Sequence, residues 1–153
     1  MMGLANALKN AGLAAFDGKC GDIFLVEDGD VVIPERKAQD RHLHPYGRTC
    51  VILSNNVFCQ DPLYPIVTIA PTSHRVDIKD ASDFPLQPSA INGLRAESLV
   101  LLGHIQPVRK ASLFRKLGAL TATEWEDMTV HLIWAFDRVI ERAAGTQAGV
   151  SSA

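Results

Sequence analysis

The chain has 153 residues, 47% hydrophobic and 21% charged, with a formal net charge of -2 at pH 7. A chain of this length buries about 70% of its unfolded surface, so one core is expected without a disulfide or metal staple. Bulk disorder, a membrane span, a fibrous repeat and a polycation that coats nucleic acid without selectivity are excluded.

Residues 1–19 read as an amphipathic helical extension, with Leu4, Leu8 and Ala15 or Phe16 on one side and Asp17-Gly18 as its stop. Asn6, Lys9 and Asn10 break the apolar stretch, which argues against a signal peptide. Three cysteines, Cys20, Cys50 and Cys59, form no C-x-x-C pair and fit a reducing cytoplasm.

From Asp22 the pattern turns to short apolar runs. Asp22–Val26 (DIFLV) reads as a strand, and Val31–Ile33 as a brief one. Arg48–Ser54 (RTCVILS) is the clearest buried strand, closed by Asn55-Asn56. Ile66–Ala70 is the next, bounded by Pro65 and Pro71. Ser82–Gln87 holds Pro85, which points to an edge. Ser98–Leu102 and His104–Val108 read as strands bent at Gly103. Ser112–Leu117 reads as a helical turn ended by Gly118.

Thr121 and Glu124 then form a capping box. Trp125, Met128, Leu132, Ala135, Phe136 and Val139 follow at spacings of three and four, which predicts a helix to about Arg142. Residues 144–153 have little to bury and read as a disordered tail. The sum is one domain over residues 20–143, a small curled antiparallel sheet carrying a helix.

Charge is unevenly spread. Asp22, Glu27, Asp28 and Asp30 form an acidic block, whereas Arg36 to Arg48 and Arg109 to Lys116 are basic. A folded chain could thus present one face of each sign.

The ordered segments GDIFLVE, GRTCVILSNN, IVTIAPTSH, ESLVLLGHIQPV and KLGALTATEWEDM resemble the PemK/MazF family of toxin endoribonucleases over Gly21 to Arg142. The resemblance implies an SH3-like antiparallel β-barrel, usually homodimeric, that cuts single-stranded RNA without a metal or other cofactor. It also implies a cognate antitoxin protein, a cytoplasmic setting and no membrane association. The family's catalytic arginine falls on Arg48 and its threonine on Thr72, with Ser73 the neighbouring hydroxyl. His74 and His104 are candidate acid/base groups, because histidine titrates nearest neutral pH. Tyr46, His44, Arg41, Arg75 and Gln106 are expected substrate contacts, since single strands are held by cationic and aromatic groups together.

The chain departs from the family at Thr49, where proline usually follows the arginine, and in a longer loop from Asp28 to Gly47. Competing expectations are a noncatalytic binding protein on the same barrel, such as a gyrase-poisoning toxin, and a metal hydrolase built on His42 and His44. The last lacks a fixed spacing for a third and fourth ligand.

Overall fold

The structure is a computed structural model and describes residues 16–34 and 44–151. Among these lie seven strands and two α-helices: β1 (Asp22–Val26), β2 (Arg48–Ile52), α1 (Asn56–Gln60), β3 (Ile66–Ser73), β4 (Asp83–Leu86), β5 (Ser98–Leu101), β6 (Gln106–Arg109), β7 (Leu113–Ala119) and α2 (Ala122–Ser151). The strands run in the order β4-β5-β3-β2-β1-β7, with β6 on β3. Every pairing is antiparallel. This is the expected curled, barrel-like sheet with a C-terminal helix. The helix proposed for the N-terminus lies in residues outside the described ones, apart from residues 16–19, which are not helical.

The middle stretches of β1, β2 and β3 are apolar because both their faces are buried. Phe24, Cys50, Ile52 and Ile69 point into one cluster, closed by Cys59 of α1 and by Phe16. Ile23, Val51 and Ala70 point into a second, covered by Met128 of α2. The Cys50 thiol is a core group, and burial pushes its pKa up to about 12.

Four expectations are corrected. Strand β3 does not stop at Pro71 but continues to Ser73. Pro71 sits opposite Cys50 at the last β2 pairing, and the next residue, Thr72, pairs with β5 instead. The missing amide thus falls where the strand changes partner. Val31–Ile33 is not a strand. The side-chain amide of Gln106 takes the place of a partner strand there: Val32 N donates to Oε1 at 2.8 Å and Nε2 donates to Val32 O at 2.9 Å.

Residues 113–119 form strand β7 rather than a helical turn. Two register shifts against β1 break its alternation, so the period of two is invisible in the sequence. The helix α2 begins on the expected capping box, with Glu124 N donating to Thr121 Oγ1 at 3.1 Å and Thr121 N to Glu124 Oε1 at 3.0 Å. It runs to Ser151, past Gly145 and past the expected end near Arg142. It crosses two glycines, Gly145 and Gly149, each of which costs a helix only about 1 kcal/mol, and the alanines between and before them offset part of that cost. Pro85 sits in β4, an edge strand as expected.

Candidate active site

A cleft of about 580 Å³ opens where the start of β2, the end of β3 and the turn after β5 meet. Its lining includes Arg48, Thr72, Ser73, His74 and His104, together with His44, Thr49 and Arg75. Residues far apart in the chain come together here for topological reasons. Gly47, at φ 92°, ends a turn in which its amide donates to His44 O at 2.9 Å, and β2 starts at the next residue. The Cys50–Pro71 pairing then carries Thr72 alongside Thr49, and Thr72 Oγ1 donates to Thr49 O at 3.2 Å. Thr49 thus extends β2 in the place where the family usually has proline.

Arg48 is tethered. Its Nε donates to Asp28 Oδ1 at 2.7 Å, and the two side chains are only 12% and 15% exposed. Burial pushes the Asp28 carboxyl up, but the hydrogen bond and charge of Arg48, joined by the amide and charge of His44, outweigh it and hold the group below its ordinary range. With Nε committed, the two terminal nitrogens of the guanidinium remain as a planar pair of donors, a shape that suits two phosphate oxygens. Asp28 appeared in the sequence only as one of an acidic block. Its role was hidden because its partner is 20 residues away.

The neighbouring hydroxyls differ. Thr72 is 5% exposed and its proton is used on Thr49. Ser73 is more open, and its Oγ accepts from Arg75 N at 3.1 Å, which leaves its own proton as a donor. His74 is exposed, and its Nδ1 lies 3.1 Å from Ser98 Oγ, which in turn lies 3.0 Å from Ala96 O. A carbonyl only accepts, so both contacts are satisfied when Ser98 donates to Ala96 and accepts from Nδ1–H. That tautomer leaves the lone pair on His74 Nε2. Ser98 is fully buried and has no catalytic signature in the sequence.

Other expected contacts lie elsewhere. Tyr46 is 87% exposed and is not among the residues lining the cleft. Gln106 is also outside the lining, and its amide is occupied by Val32 and by His104 O. Arg75 lines the cleft but is held to Asp77 through two 3.1 Å contacts. Arg41 and His42 lie outside the described residues. Phe58 and Tyr64 stack on each other with ring centroids 5.0 Å apart and do not border the cleft. Among the described residues, no group of three His, Cys, Asp or Glu is placed to hold a metal ion.

The model of the PemK-like, MazF-like toxin of type II toxin-antitoxin systems matches residues 19–136. The chain belongs to this family. Solved structures share its fold. The Mycobacterium tuberculosis toxin MazF-mt6 is 24% identical, with 76% of this chain and 96% of that one covered at a TM-score of 0.57. An endoribonuclease from a mycobacterial species is 14% identical, over 78% and 90% of the two chains, at 0.55. A mycobacterial endoribonuclease in complex with its cognate antitoxin is 17% identical, over 78% and 92%, at 0.54. No curated protein is similar enough in sequence to count as a relative. In this PemK/MazF-like chain, Arg48 and Thr72, the positions expected from the resemblance, both line the cleft.

Proposed function

We propose that this PemK/MazF-like chain is a metal-independent endoribonuclease that cuts single-stranded RNA. The observation that carries the reading is the meeting of Arg48, Thr72, Ser73, His74 and His104 in one cleft. The nucleophile is the RNA's own 2′-hydroxyl. A base removes its proton, O2′ bonds to phosphorus, the P–O5′ bond breaks, and an acid returns a proton to O5′. Arg48 binds the nonbridging oxygens and stabilises the charge gathered on them in the transition state. Ser73 donates a further hydrogen bond. His74, with its lone pair on Nε2, takes the 2′-hydroxyl proton, and His104 supplies the proton to the leaving oxygen. Thr72 fixes the edge of β2 that carries Arg48.

The partners follow from the family and the surface. A cognate antitoxin covers the cleft, in keeping with the mycobacterial relative solved in such a complex. A homodimer gives the exposed Val130, Ile133, Trp134 and Phe136 of α2 a surface to meet. No helix among the described residues is long and apolar enough to cross a membrane. The cytoplasmic setting follows from the family alone.

The test uses end-labelled single-stranded RNAs of several sequences, incubated with the purified chain in the presence of a chelator. Cleavage is expected, and Arg48→Ala should lower it by about a hundredfold to a thousandfold with the fold retained. RNA left intact by the unchanged protein, or full activity in Arg48→Ala, overturns the proposal.

A further inference from the structure

Strand β7 carries an aromatic ring in an unusual position. Leu25 faces Arg115 and Val26 faces Leu113, so Phe114 is the extra residue of a β-bulge. A bulge bends its strand and re-aims a side chain, and such devices concentrate beside active sites. Phe114 is 52% exposed. A Cβ built on Gly47 would stand 2.6 Å from Phe114 Cζ and 2.9 Å from Cε1, so the ring lies directly against that backbone. The ring therefore rests on the bare backbone of Gly47, which lines the cleft immediately before Arg48. Phe114 does not itself line the cleft; its phenyl, half open to solvent, stands just outside it against Gly47. The next residue, Arg115, is an exposed cation.

We propose that Phe114 is a stacking platform for one nucleobase of the bound single strand, next to the phosphate held by Arg48. The inference rests on the ribonuclease reading and adds a base-binding subsite to it. Every base has an apolar face, so a phenyl holds it whatever its identity, while the cation beside it follows the backbone. The alternative is that the ring only shields the Gly47 turn. An aliphatic side chain would serve that purpose equally well, so the two roles separate on substitution.

The probe is a fluorescent single-stranded RNA with its 2′-hydroxyls methylated, which cannot be cut. Its affinity for the unchanged chain is measured by anisotropy, alongside Phe114→Leu, Phe114→Ala and Phe114→Trp, each first checked for cooperative thermal unfolding. Leu and Ala should both weaken binding about fivefold to a hundredfold, and Trp should retain it. A series of probes, each with one abasic position, should then show one position whose base matters to the unchanged chain and not to Phe114→Leu. Wild-type affinity in Phe114→Leu, or the same abasic profile in both proteins, overturns the stacking role and leaves the ribonuclease reading standing. Failure of the unchanged chain to bind any RNA overturns both.

Discussion

On the proposed reading, one long-range ion pair prepares the flexible side chain of Arg48 for a phosphate. A free guanidinium samples many rotamers, and the Nε–Oδ1 contact at 2.7 Å removes most of that freedom before any ligand arrives. Asp28 is a positioning residue in this account. Asp28→Ala should lower the cleavage rate about tenfold to a hundredfold while leaving RNA affinity within about threefold, and Asp28→Asn, which still accepts from Nε, should fall in between. Unchanged turnover in Asp28→Ala would dismiss the tether. Stability follows the same pair. The Asp28 carboxyl is held below its ordinary range in the folded chain. Its contribution is therefore present above the unfolded value, about pH 4, and is lost as pH falls through the lower folded value. Asp28→Asn should cost about 1–3 kcal/mol at neutral pH, with the difference from wild type closing in acid. Thermal melts across that range measure it.

Strand β7 depends on what its glycine does not carry. A Cβ on Gly118 would stand 2.3 Å from Ile91 O and 2.7 Å from Asn92 O, both backbone atoms. That loop cannot yield, because fully buried Asn92 accepts from Ser89 N at 2.9 Å and Leu94 N at 3.0 Å and donates to Gln87 O at 2.7 Å. Gly118→Ala should cost about 2–4 kcal/mol, whereas Gly29→Ala, with nothing within 4 Å, should stay within about 0.5 kcal/mol. Denaturant midpoints at constant slope compare them, and equal shifts would contradict the packing account. The same glycine explains why β7 was illegible: Gly118 read as a helix stop, and its true neighbours lie in a loop more than 20 residues earlier. Strands β1, β2 and β5 were legible because burial on both faces leaves an apolar run. The capping box was legible because both of its bonds are local. In the cleft, Arg48 and Thr72 were readable from the family resemblance, and His74 and His104 from the fitness of histidine for proton transfer near neutral pH. Asp28, Ser98 and Phe114, which lie outside the lining but touch residues of it, were not, since each of those contacts is distant in sequence. Gln106 misled because its amide, a plausible RNA contact, is used to hold Val32.

At the scale of the whole molecule, charge limits how RNA can be bound. Seventeen acidic residues against 15 basic ones leave -2 overall, so net charge by itself supplies no attraction for a polyanion. The cleft is not strongly basic either. Arg48 is paired with Asp28 and Arg75 with Asp77, and Asp80 and Asp83 share the lining. On the proposed reading, affinity for RNA therefore comes from two or three phosphate contacts together with base stacking. Each phosphate neutralised on a single strand contributes about -0.7 to the slope of log affinity against log salt. Binding of the uncleavable RNA should then show a shallow slope of about -1.5 to -2, and Arg48→Ala should flatten it by about 0.7. Phe114→Leu should lower affinity at every salt concentration and leave the slope unchanged, because stacking releases no counterion. Anisotropy titrations at four or five salt concentrations give all three slopes. A wild-type slope steeper than about -4 would mean that a broad basic face, and not the cleft, holds the strand.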